Sequence, residues 1–241
     1  MKAVNMRKTG LAMFYILLLS HYAAAPLFSN PGFDLRTINS KPPDRYIFRS
    51  GAAVDNFENL DSKARMIDAA VVTWQEEGQN RAKLISDYHA VFPIPMEKLI
   101  PVFLDHENED RVYPRITDSR DLSPERDDME PHYQEVEICF KFLGFGEEYR
   151  YILYRVPERL EDGSFLFYWA LVNSIDGKYF ELYGSWYLEE FVREDKPHTY
   201  LRNYIQTGMI DPPAGLKTFT RLFAQKDVRN FFSAVYKAAL R

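Results

Sequence analysis

Hydrophobic and polar residues alternate along the second half of the chain. Between residues 136 and 142 every second side chain is apolar, the pattern of a strand with one buried face. Further strands are predicted at 148–156, 164–173, 178–191 and 199–207. The links Glu161-Asp162-Gly163 and Asp176-Gly177 suit hairpin turns, and connections this short leave no room for crossover helices. The pattern therefore predicts an antiparallel meander.

The first half of the pattern predicts a hairpin followed by a short helix. Strands are expected at 69–75 and 82–92, separated by the turn-forming sequence EGQN. A helix over 63–75 is the alternative, because its apolar residues also fit a helical face. After Pro93 and Pro95, an apolar helical face is formed by Met96, Leu99, Ile100 and Phe103. Polar residues 105–111 then interrupt the pattern before another extended segment at 113–122.

The chain ends in a long amphipathic segment. From Leu216 to Leu240 apolar residues recur at helical spacing, and a helix of ~25 residues would be ~37 Å long. Such a helix can lie across a sheet. Lys226-Asp227 is the point where we expect a kink or break.

The N-terminus carries the features of a secretory signal. Basic residues precede an apolar run at 11–19, and small residues follow at 23–25. We therefore predict a signal peptide over 1–25 and a periplasmic mature protein, with an uncleaved membrane anchor as the alternative. Residues 26–65, which are rich in proline, are predicted to form an irregular arm, and 66–241 a single domain.

Composition and motifs exclude several functional classes. The net charge is -5 and no basic block occurs, so nucleic acid is not an expected partner. The single cysteine, Cys139, excludes an intrachain disulfide and a cysteine-based metal cluster. No nucleophile elbow, phosphate loop or metal-ligand spacing is present. We expect no cofactor, no metal and no catalytic residue.

Three stretches resemble the START-like (SRPBCC, helix-grip or Bet v 1-like) lipid-binding domains. They are YHAVFPIPMEKLIPVFLDHENEDRVYPRITDSRDL at 88–122, GSWYLEEF at 184–191 and HTYLRNYIQTGMIDPPAGL at 198–216. The resemblance covers roughly residues 70–241 and implies an α+β helix-grip fold, a curved antiparallel sheet wrapped around the long C-terminal helix. It also implies an internal apolar cavity for a lipid, sterol or isoprenoid-like ligand.

Ten residues of the strands are candidates to contact that ligand. They are Phe140, Tyr154, Arg155, Phe167, Trp169, Glu181, Tyr183, Trp186, Arg202 and Tyr204. The three charged ones lie mid-strand, where an inward side chain would be costly unless paired; the alternative is that they point to solvent. Several strands are apolar on both faces, which indicates an outer face covered by the arm, a membrane or a partner.

The sequence thus favours an exported protein that binds a hydrophobic small molecule without changing it, with transient membrane contact. One alternative is an aromatase/cyclase-type enzyme, in which tyrosines with Arg and Glu side chains guide proton transfers. Another is a non-catalytic interaction domain with a collapsed cavity.

Overall fold

The computed structural model describes residues 59–241 except 114, 124, 126, 143–144 and 214–215. The side chains of 140–146 and 217–224 are likewise not described. The predicted signal peptide and the predicted arm up to residue 58 lie outside the described residues.

Within the described residues, eight strands form one antiparallel sheet. They are β1 (Arg65–Glu76), β2 (Gln79–Phe92), β3 (Ile116–Asp121), β4 (His132–Phe142), β5 (Phe145–Arg159), β6 (Phe165–Ser174), β7 (Tyr179–Arg193) and β8 (Lys196–Ile210). Their order across the sheet is β1-β2-β8-β7-β6-β5-β4-β3. Strands β4 to β8 are the predicted meander. β3 adds to one side of it against β4, and the β1–β2 hairpin adds to the other side against β8. The predicted antiparallel sheet is confirmed.

The predicted β1–β2 hairpin is confirmed. The alternative helix over 63–75 does not form, because this segment is β1 and pairs along its length with β2. The β1–β2 turn lies where it was predicted, with Glu77 and Gly78 both at positive φ (51° and 78°).

Short helical segments connect β2 to β3. A 3₁₀ turn (Met96–Lys98) precedes α1 (Ile100–Leu104), and a second 3₁₀ turn (His106–Asn108) precedes α2 (Glu109–Val112). The four residues of the predicted apolar face are all buried. The polar stretch 105–111 was expected to interrupt the helical pattern. Instead it forms two further helical turns that bury His106 and Glu109.

The last element is α3 (Leu216–Ala239), which is continuous through Lys226-Asp227. Its Phe232 is fully buried and its ring contacts Phe92 of β2 and Trp186 of β7. The sheet face that packs against α3 is called the inner face below, and the opposite one the outer face. None of the helices within the described residues is long and apolar enough to cross a bilayer.

Candidate functional site

A buried ion pair lies on the inner face. Arg155 is in the second half of β5. Glu109 is the first residue of α2, which overlaps the polar stretch 105–111 of the sequence. The two side chains are 7% and 2% exposed. Arg155 donates from both terminal nitrogens to the two oxygens of Glu109, with the Nη2–Oε2 distance 3.3 Å. A two-pronged contact of this kind orients both groups.

Four further polar residues surround this pair, and the six together are called the polar cluster: Glu109, Arg155, His106, Ser119, His132 and Gln134. Gln134 donates to Glu109 over 3.0 Å, and the Ser119 hydroxyl donates to the backbone oxygen of His106 over 2.6 Å. The rings of His106 and His132 lie 4.2 Å apart. Glu109 therefore contacts cationic or hydrogen-bonding groups from β3, β4, β5 and its own helical segment.

The Glu109 carboxylate is held in its charged form. Burial raises its pKa, but the Arg155 cation and the contact with His106 outweigh that effect, so the pKa lies below its usual value. The Tyr113 phenol next to the pair is buried, and its pKa is raised. At neutral pH the pair is thus a carboxylate facing a guanidinium inside the protein.

Aromatic side chains adjoin the polar cluster along the inner face. The Phe167 ring stacks on His106 with centroids 5.7 Å apart, and the Arg155 guanidinium lies 5.5 Å from the centre of the same ring. Trp169 continues the row beside Phe167. The inner face therefore offers a charged end and an apolar wall next to it.

A group of three tyrosines occupies the other end of the same face. The Tyr149 and Tyr179 rings lie 5.3 Å apart, and the Tyr151 and Tyr179 rings 5.4 Å apart. Tyr151 and Arg155 are four residues apart on β5, which places them about 13 Å apart at ~3.3 Å per residue. The inner face thus has hydrogen-bonding groups at both ends of an apolar stretch.

Two atoms of the polar cluster have unused hydrogen-bonding capacity. Within the described part of the chain, neither Nε of Arg155 nor Oε1 of Gln134 has a hydrogen-bond partner. One is a donor and the other an acceptor, and both belong to side chains that contact the same Glu109 oxygen.

The structure divides the predicted ligand-contacting residues between the two faces. Arg155, Phe167, Trp169 and Trp186 lie on the inner face. The alternation of side chains along each strand places Tyr154, Glu181, Tyr183, Arg202 and Tyr204 on the outer face. Phe140 is in β4, but its side chain is outside the described residues. Trp186 packs between Phe103 of α1 and the α3 ring of Phe232, so it fills the core.

The outer face has its own polar groups. Arg202 donates twice to Asp87, each time over 2.8 Å, and both are buried. Further along, Glu181 contacts Lys83 over 2.9 Å and accepts a hydrogen bond from Gln206. The prediction that mid-strand charges must be paired if buried therefore holds on both faces. The predicted arm was one of the elements expected to cover this face. Of it, residues 59–65 are described, and Leu60 packs there against Val91, Tyr187 and Tyr200.

Sequence reasoning missed Glu109, His106, His132 and Gln134. The available signal was the i, i+3 spacing of His106 and Glu109 on one side of a helical turn, and the polar residues at alternate positions 132 and 134 of β4. Within the described residues, no group of three or more His, Cys, Asp or Glu side chains is placed to hold a metal ion.

A surface pocket of about 380 Å³ lies between α2 and the end of α3. Its lining is basic and small rather than aromatic: Arg111, Asn230, Ser233, Ala234, Lys237, Ala238 and Arg241. Four of these residues are exposed, so this pocket is separate from the buried polar cluster.

Comparison with known proteins gives similarity of structure alone. No family model matches the chain, and no curated protein matches it. A crystal structure of a STAR-related lipid transfer protein (fragment 25–204) from Xanthomonas axonopodis superposes with a TM-score of 0.51 and 13% identity. The match covers 72% of this chain and 99% of that one.

A START superfamily protein from Mycobacterium smegmatis also matches, with a TM-score of 0.47 and 12% identity over 64% of this chain and 94% of that one. At these identities the similarity concerns the fold alone. The assignment of the fold rests on the Xanthomonas structure, which has the higher TM-score of the two. The antiparallel sheet and the final helix agree with the fold that the sequence resemblance implied. The chain described here has a START-like fold.

Proposed function

We propose that this protein binds a hydrophobic small molecule that carries a polar group. The ligand lies between α3 and the inner face, with its polar group at Arg155 and Gln134 and its apolar part along Phe167 and Trp169. In this arrangement the sheet grips α3 in the helix-grip manner. Burial of the apolar part would contribute about 25 cal/mol per Å², and the polar group would fix the orientation.

The observation that carries the proposal is the polar cluster itself. Burying a charged pair in a domain core costs several kcal/mol per ion before the pair interaction is counted. A protein with two apolar residues in place of the pair would be about as stable. A donor and an acceptor left open beside that pair, next to aromatic side chains, suit a ligand that brings the complementary groups. The Xanthomonas protein of similar fold is described as a lipid transfer protein, which supports a lipid as the ligand class.

The proposal also includes export, with transient contact between the mature protein and a membrane. It rests on the signal-like pattern of residues 1–25. Fractionation of the native host's cells, with N-terminal sequencing of the mature chain, tests this part independently of ligand binding.

Native mass spectrometry of the protein purified from its own host tests ligand binding. We expect a lipid-sized mass that stays bound under native conditions and is lost on denaturation. Arg155→Met should reduce the bound fraction about tenfold or more, since a hydrogen bond to a charged group contributes about 1.5–3 kcal/mol. If no lipid co-purifies and none is taken up from mixed vesicles, the proposal is wrong.

The chain offers a matched control for this variant. Arg202 is also a buried arginine paired with one carboxylate, but on the outer face. Arg202→Met should lower stability in a similar way and leave the ligand bound. Equal loss of ligand in both variants would indicate that stability, rather than contact with Arg155, controls binding.

A second candidate function is acid–base catalysis, and the observation that favours it is the pair of histidine rings beside Glu109 and Arg155. Tyrosines with Arg and Glu side chains were the groups expected of a cyclase-type site, and Tyr113 lies next to the Glu109–Arg155 pair. Incubation with polyketide-like substrates distinguishes the two functions, because a binding protein returns the added compound with unchanged mass and connectivity.

A further inference from the structure

The two edges of the sheet differ in the way they meet solvent. Strands β1 and β3 are the terminal strands. β3 has six residues, of which Asp118, Arg120 and Asp121 are charged. Short, charged edges of this kind resist pairing with another chain. β1 has twelve residues, contains neither lysine nor proline, and carries charge only at Arg65, Asp68 and Glu76.

The centre of β1 is apolar and accessible. Residues 69–73 read AAVVT, without a charge, and Val72 is 58% exposed. Toward the start of the strand Met66 and Ile67 are 51% and 38% exposed. A long edge whose centre is uncharged, and with which no other strand of the described residues pairs, is a ready surface for β-strand addition.

We propose that β1 pairs antiparallel with β1 of a second copy of this chain, joining two eight-stranded sheets into one. The second copy is the occupant that the strand itself specifies, because its charges are self-complementary. Two antiparallel copies of a strand are related by a two-fold axis perpendicular to the sheet. Residues that face each other across such an axis must lie on the same side of the sheet.

An axis through Val71 satisfies this condition. It places Ala70 of each copy opposite Val72 of the other, two side chains that share the outer face because they neighbour Ile85 and Lys83 of β2. Shifting the axis by one residue to Val72 would set Asp68 against Glu76 of the second copy, and like charges in that position destabilise a sheet.

The bulge in β1 completes the match. The register between β1 and β2 shifts between Met66 and Asp68, so one extra residue is accommodated there. Counting that residue, an axis through Val71 brings Arg65 of each copy opposite Glu76 of the other. These two side chains are 54% and 58% exposed in the single chain. The charged ends of the strand thus attract each other twice per dimer.

Cross-linking of the full chain tests both the contact and its register. In Val71→Cys the two introduced thiols face each other across the axis, and we expect a disulfide or a short thiol linker to join two chains. In the control Ala69→Cys the thiols lie on the same side of the sheet but about 13 Å apart, at ~3.3 Å per residue, and should not join. The native Cys139 is buried. Equal cross-linking of both variants, or none in Val71→Cys, would overturn the proposal.

Sedimentation over a range of protein concentrations gives a second, independent measurement. We expect a monomer–dimer equilibrium whose dissociation constant rises about tenfold or more in Val72→Lys, because both copies of the paired edge gain a charge. The matched control is Val192→Lys, the same change at an exposed valine (73%) near the β7–β8 turn, which should leave the equilibrium unchanged. A monomer at all concentrations, or a dimer indifferent to Val72→Lys, contradicts the proposal.

A charge exchange distinguishes the predicted register from other β1 contacts. Arg65→Glu and Glu76→Arg should each weaken the dimer, and the double variant should restore it. Circular dichroism of each variant at a concentration where the protein is monomeric verifies that the fold is retained. Failure of the double variant to restore dimerisation would exclude this register.

Discussion

Removal of the Arg155 side chain provides a strong test of the polar cluster. In Arg155→Met the apolar stem is kept and the guanidinium is lost, which leaves Glu109 as a buried carboxylate. Breaking a buried pair in this way costs about 3–5 kcal/mol. Glu109 keeps the hydrogen bond from Gln134 at 3.0 Å, so we expect the lower end, about 3 kcal/mol in the free energy of unfolding.

Replacing both partners should cost much less than replacing one. In Arg155→Met combined with Glu109→Leu no charge remains to be buried without compensation, and such apolar replacements are often neutral or stabilising. Urea unfolding followed by tryptophan fluorescence gives the free energies of the single and double variants. The double-mutant cycle then isolates the interaction of the two side chains.

The pH dependence of the same variant supplies a further test. Without Arg155, burial acts on Glu109 with less opposition and raises its folded-state pKa above the unfolded value. The folded state then binds the proton more tightly, so the penalty of Arg155→Met shrinks as the pH falls. The reasoning is refuted if Arg155→Met costs under about 1 kcal/mol, if the double variant costs as much as the two single variants added together, or if the penalty grows in acid.

Three further substitutions have outcomes that follow from the structure. Burial lowers the pKa of His89 to about 4, below the unfolded value near 6.5. Wild-type stability should therefore fall as the pH drops from 6.5 to 4. Urea titrations at several pH values should show a smaller pH dependence of stability in His89→Gln. A Cβ added at Gly184 would lie 2.5 Å from the Trp169 ring and one at Gly208 2.5 Å from the Phe180 ring. Because Phe180 is 40% exposed and can turn aside, thermal unfolding should show a loss of about 2–3 kcal/mol for Gly184→Ala and under about 1 kcal/mol for Gly208→Ala.

The strands were predictable because most of them alternate clearly or end at recognisable turns. Their inward faces were not, since several strands bury both sides. Tyr204 on the outer face is 4% exposed and Trp186 on the inner face 2%, so hydrophobicity does not distinguish them. Arg155 and Arg202 are equally ambiguous, because each is an arginine among apolar residues of a strand.

The residues that contact Arg155 could not be predicted from the periodicity of the sequence. Its partner Glu109 is 46 residues away in the chain and Asp87, the partner of Arg202, is 115 residues away. Glu109 belongs to a segment whose composition is typical of a solvated turn. Only the packing of two short helical turns against β3 and β4 buries it, and that packing depends on the tertiary fold rather than on local propensity.

The order of strands has a consequence for how the chain reaches its native state. The β7–β8 hairpin joins residues close in sequence, from Arg193 with Lys196 outward, and can form early. In contrast, the paired residues of β2 and β8 are far apart in sequence. The separation runs from 107 positions for Phe92 with Thr199 to 129 positions for Arg81 with Ile210. Contacts over such separations are slow to form. The β1–β2 hairpin is therefore synthesised first and joins the sheet last. During translation it can pair with β8 only after the C-terminal third of the chain has emerged from the ribosome.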